Sequence, residues 1–89
     1  MSDSNIETWQ CLNTKGNKLF GEQKIDEALV MYDKAILLSK EQEPKLFNNR
    51  ANARLQLGRF ADALDDCNKA LTLLSFPLSG YADEDPEVN

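Results

Sequence analysis

The sequence predicts an all-α fold made of two tandem helix-turn-helix units, and three observations predict it. The 89-residue chain matches itself at an offset of 35 residues, with Asn17 on Asn52, Ala28 on Ala63, Leu29 on Leu64, Lys34 on Lys69, Ala35 on Ala70 and Leu38 on Leu73. Conservative pairs fill the intervals: Leu12 with Phe47, Ile25 with Phe60, Glu27 with Asp62, and Ile36 with Leu71. Each copy carries apolar residues at helical spacing, and each contains a break where one helix would fold back on another. A fixed period of this length describes a unit that cannot bury its own apolar face and must stack on a neighbour.

The first helix is predicted from about Asn5 to Phe20. Ser4 and Glu7 have capping-box spacing, Trp9, Leu12, Gly16 and Leu19 recur on one side, and Gly21 reads as the breaker. The second starts near Lys24 and places Ala28, Leu29, Tyr32, Ala35 and Ile36 on one stripe. Pro44 opens the third in the first turn, where a proline is tolerated, and Gly58 closes it after Leu46, Phe47, Ala51 and Leu55. The fourth, from about Phe60 to Leu74, repeats the second through Ala63, Leu64, Cys67, Ala70 and Leu71. Pro77 and Gly80 predict a turn over 75–81, and the acidic stretch 82–89 reads as a disordered tail, so the folded domain is expected over 1–81.

Composition narrows the function. Of fifteen acidic residues, Asp83, Glu84, Asp85 and Glu87 follow the last base, Lys69, so the net charge of -5 is concentrated at the end and the rest is close to neutral. With no basic stripe, nucleic acid and anionic membrane are not expected partners. No apolar run is long enough to span a bilayer. Cys11 and Cys67 form no metal-ligand pattern and histidine is absent, so no metal or other cofactor is expected. Both thiols read as small core residues in a reducing setting, cytosolic or nuclear, and a cytoplasmic location is expected. Asp65 and Asp66 are adjacent on a helix and face different ways, which rules out an acid–base pair. With no glycine-rich phosphate loop and no nucleophile motif, an enzyme is not expected.

Antiparallel helices approach closely only where side chains are small. Gly16, Ala28, Ala51 and Ala63 mark such points, with Phe20, Tyr32, Phe47 and Phe60 filling the space on either side. These residues carry a resemblance to the tetratricopeptide repeat, a unit of about 34 residues with a small residue in its first helix and an Ala-x3-aromatic pattern in its second. The first copy, about 9–42, supplies Leu12, Gly16, Leu19, Ala28, Tyr32 and Ala35; the second, about 44–77, supplies Phe47, Ala51, Gly58, Phe60, Ala63 and Ala70. Cys67 stands where an aromatic is usual, and the loop at Glu41 to Glu43 is one residue longer than the period requires. The resemblance implies antiparallel helices stacked as a short right-handed solenoid whose first helices line a peptide-holding groove.

On that geometry Gln10, Asn13, Asn17 and Phe20 share a surface with Lys45, Asn48, Asn49 and Asn52. Asparagine both donates and accepts, which suits a peptide backbone. Lys15-Gly16-Asn17-Lys18 and Phe47-Asn48-Asn49-Arg50-Ala51 are similar to segments of carboxylate-clamp co-chaperones, which hold the acidic carboxy-terminal tail of heat-shock chaperones. Asn17 and Asn49 match the two clamp asparagines, Asn13 replaces the clamp lysine, and the other clamp cations belong to a third repeat that this sequence does not contain. Three charge-assisted bonds of roughly 1.5–3 kcal/mol each are therefore missing. The implied function is a protein-binding adaptor of co-chaperone type. The alternative is a structural oligomerisation unit working through the outer face of the last helix, where Leu64, Cys67, Leu71 and Leu74 would be bare and could support self-association.

Overall fold

A computed structural model describes residues 7–84, with side chains described as far as Leu74. Four helices follow one another: α1 (Trp9–Gly21), α2 (Ile25–Leu38), α3 (Pro44–Gln56) and α4 (Phe60–Glu84). Helix α1 packs against α2 and α3 against α4, and the two hairpins join because α3 also packs on α2 and touches α1. No strand occurs among the described residues.

The four helices start and stop for local reasons. Thr8 caps α1, its hydroxyl accepting from the Cys11 amide at 3.2 Å. The helix thus begins a turn later than the expected start at Asn5, because Thr8 satisfies the orphan amide; Ser4 lies outside the described residues. Three helix ends share one closure. A residue in the left-handed region is followed by an amide that reaches back five residues: Gln23 (φ 68) then Lys24 to the Leu19 carbonyl at 2.9 Å, Lys40 (φ 58) then Glu41 to Ile36 at 2.9 Å, and Gly58 (φ 78) then Arg59 to Arg54 at 2.8 Å. Gly21 therefore belongs to α1, and the break expected there falls at Gln23. Only at Gly58 is the conformation free of a Cβ penalty. Glu41 also has φ 58, which takes up the extra residue of the second loop.

Two buried clusters run through the stack. Ile25, Ala28, Leu29 and Tyr32 of α2 meet Ala53 of α3, with Leu19 and Phe20 against them. Leu12, Ala35, Ile36, Leu46, Phe47 and Ala70 form the second and draw in Trp9, Met31 and Leu73. Ala28, Ala51 and Ala63 are buried as the packing pattern requires, and so is Gly16. Two expected core residues are not in the core. Phe60 is 68% exposed, since it begins the outermost helix and no further helix covers its side. Cys11 is exposed because it lies on the outer side of α1, and Cys67 is half-buried.

Helix α4 continues to Glu84 through the segment 75–81 where a turn is expected. Pro77 removes only one ladder bond, that to the Leu73 carbonyl, and the apolar spacing of the sequence runs on through 78 and 81. Residues 82–84 likewise lie in α4, and the rest of the acidic tail lies outside the described residues.

Candidate functional site

Helices α1 and α3 bring the sequence-predicted asparagines together through one bond. The Asn49 carboxamide on α3 donates to Asn13 Oδ1 on α1 at 2.7 Å, thirty-six residues away in sequence, and both side chains are half-buried. That bond uses one of the two Asn49 N–H donors and one lone pair of Asn13 Oδ1, so the Asn13 Nδ2 group, the second Asn49 N–H and Asn49 Oδ1 remain to meet a ligand. Asn17, one turn further along α1, is held from behind. The Tyr32 hydroxyl on α2 donates to its Oδ1 at 2.7 Å, which turns the Nδ2 group outward as a donor.

Tyr32 can make this bond because Gly16 has no side chain. A Cβ at Gly16 would stand 2.6 Å from Tyr32 Cε1. Burial pushes the Tyr32 phenol above its ordinary pKa, so it remains a neutral donor. Lys45, Asn48 and Asn52 are exposed on α3, at spacings that keep them on the side of Asn49. Phe20 is only half-buried and packs against the cluster around Tyr32. Lys15 forms an exposed pair with Glu7 at 3.4 Å.

A second polar constellation was not legible from spacing alone. A cavity of about 600 Å³ has α3 as its floor and α2 and α4 as its walls, and Asp33, Phe47, Arg50, Arg54, Asp66 and Lys69 line it. Arg50 donates from Nε and Nη2 to the two oxygens of Asp66 at 3.0 and 2.8 Å, and from Nη1 to Asp33 at 2.7 Å. Arg54 adds a bond from Nη1 to Asp66 at 2.8 Å, while its buried Nε has no partner. Burial alone would lower the Arg50 pKa. The hydrogen bonds and charges of Asp66 and Asp33 outweigh it and leave the guanidinium more firmly protonated than usual. Arg50 and Lys69 also sit over the Phe47 ring, at 5.6 and 5.8 Å from its centroid. The α2 and α4 backbones do not approach closely, and this network, with the buried cluster around Phe47, ties the two helices together across α3. The available signal was the four-residue spacing of Arg50 and Arg54 on one helix and of Asp62 and Asp66 on the next.

Among the described residues no side-chain cluster fits a metal ion and no helix is long and apolar enough to cross a membrane.

Comparison with known proteins agrees with this architecture. The tetratricopeptide repeat family model matches residues 44–75, from the start of α3 into α4. Over 73 residues the chain is 37% identical to serine/threonine-protein phosphatase T of Aspergillus oryzae, covering 82% of this chain and 15% of that protein. It is 41% identical over 71 residues to RNA polymerase II-associated protein 3 of Rattus norvegicus, covering 80% of this chain and 11% of the relative. Dynein axonemal assembly factor 4 of the same organism is 39% identical over 71 residues, 80% of this chain and 17% of its own length. The chain thus spans less than a fifth of each of these relatives. No solved structure gives a significant match. The second hairpin thus matches the tetratricopeptide repeat, and the first repeats its helix-turn-helix architecture at a 35-residue offset, so the fold is two tandem helical hairpins of tetratricopeptide type.

Proposed function

We propose that this chain is an adaptor that holds the free carboxy terminus of an extended, acidic protein tail on its α1–α3 face. The observation that carries the reading is the Asn13–Asn49 bond, which sets carboxamides from two different repeats side by side. Tyr32 adds to it, because with Asn17 Oδ1 engaged the group facing outward is a donor, as a terminal carboxylate requires. The similarity of Asn17 and Asn49 to the asparagines of carboxylate clamps supports a tail of heat-shock-chaperone type. Relatives named as an assembly factor and as an RNA polymerase II-associated protein support a role in bringing proteins together. A cytoplasmic setting goes with this reading, since Cys11 and Cys67 are free thiols.

Asn13 cannot supply the charge of a clamp lysine, so affinity rests on neutral bonds. Three bonds of about 1–1.5 kcal/mol each correspond to a dissociation constant on the order of a millimolar. Titrating the chain with a peptide ending Glu-Glu-Val-Asp, observed by amide chemical shifts, tests this. Saturable shifts on α1 and α3 are expected, abolished by Asn17→Ala, by Asn49→Ala and by amidating the peptide's carboxy terminus. Equal binding of the amidated peptide, or shifts confined to other surfaces, would reject the proposal.

A further inference from the structure

The 35-residue offset also compares the outer faces of α2 and α4. Ile25, Leu29, Tyr32 and Ile36 on α2 are buried because Leu46, Phe47 and Ala53 of α3 lie against the clusters they belong to. Their counterparts on α4 are Phe60, Leu64, Cys67 and Leu71, and the three large apolar ones are 68%, 61% and 62% exposed. Leu74 continues the row at 51%. The intervals from Phe60 to Leu74 are four, three, four and three residues, the spacing of a seam on which one helix lies along another.

Two residues decide what kind of helix the seam accepts. The α2–α3 joint is locked by Asp33 to Arg50, and the α4 counterpart of Asp33 is Asn68, which offers no charge to a helix built like α3. Head-to-tail stacking would bring α1 of a second copy to the seam. There the counterparts of Leu46, Arg50 and Ala53 are Cys11, Lys15 and Lys18, all exposed, and they would set two ammonium groups against leucines. The seam itself is uncharged, and so are its flanking residues Ala61 and Asn68. A second α4 therefore matches it apolar to apolar, without like-charge repulsion.

We propose that two copies of this chain pair through α4, on a two-fold axis passing beside Cys67, the middle residue of the seam. Pairing covers the row left open by α3 and leaves the α1–α3 face outward on each copy, so the dimer does not depend on the peptide reading.

Sedimentation from low micromolar to near-millimolar concentration tests this together with a bifunctional maleimide. The expected result is a monomer–dimer equilibrium, with crosslinking lost in Cys67→Ser and kept in Cys11→Ser. Leu64→Glu and Leu71→Glu alter exposed positions and should stay helical by circular dichroism. Each should weaken the dimer at least about tenfold by setting an unpaired charge in the seam. Leu37→Glu, on an exposed leucine of α2, should leave the dimer unchanged. A monomer across the whole range, a dimer indifferent to Leu64→Glu and Leu71→Glu, or crosslinks joining Cys11 to Cys67 would overturn the proposal.

Discussion

The ring of Tyr32 rests on Gly16 so closely that a methyl group there would stand 2.6 Å from Cε1 and 2.8 Å from Cδ1. The ring cannot swing away, because its hydroxyl is anchored on Asn17 and its edges are packed by α2 and α3. Gly16→Ala is therefore expected to destabilise the fold. Overpacking costs about 1–3 kcal/mol and the better helix propensity of alanine returns up to about 1. Thermal unfolding should fall by roughly 5–10 °C for a chain of this size. Gly21→Ala meets nothing within 4 Å and should change the midpoint little.

Tyr32→Phe keeps the packing and loses the bond to Asn17, at a cost of about 1 kcal/mol. It should also change the alkaline limb of stability. Burial raises the folded-state phenol above its unfolded value, so the folded state holds the proton more tightly. The resulting stability is complete below about pH 10 and is lost as pH rises through the higher folded value. Denaturant midpoints measured from neutral to strongly alkaline pH should decline in the parent and decline less in Tyr32→Phe.

The Arg50 network predicts two unequal losses. Asp66 is only 3% exposed and serves two guanidiniums, so Asp66→Ala leaves both without their shared acceptor and should cost about 3–5 kcal/mol. Asp33 is 56% exposed, and Asp33→Ala should cost under about 1 kcal/mol. Chemical denaturation of the two variants checks the order; equal effects would mean that the buried carboxylate is not the anchor.

Asn13 and Asn49 give a double-mutant cycle. Each alanine variant breaks the same bond, so the pair should lose less than the sum of the singles, with a coupling of about 0.5–1.5 kcal/mol in folding stability. Additive losses would show that the two hairpins are not joined there.

The helix-by-helix plan was legible because it is written in intervals: Ala28 and Ala63 at one offset, Pro44 at a start, Gly58 at a stop. Helix ends were less so, since Thr8 caps α1 and Gln23 closes it, and neither differs in composition from its neighbours. Phe60 and Cys11 were misplaced for one reason. Periodicity says which residues share a face and not whether anything lies against that face. The asparagine row was visible as residue type, whereas the bond between Asn13 and Asn49 depends on how one hairpin sits on the next. Asp65 and Asp66 face different ways as expected, Asp65 exposed and Asp66 buried, but the Arg50–Asp66 fork was not legible because the partners of Asp66 depend on how α4 sits on α3.

Helix α3 packs on all three others, whereas among the described residues the backbone of α4 approaches that of α3 and of no other helix. Opening of the chain is accordingly hierarchical. The amides of α4 can exchange with solvent after that helix alone peels away, but those of α3 are released only when both hairpins come apart. At dilutions where copies do not meet, deuterium should enter α4 first and the middle turns of α3 last.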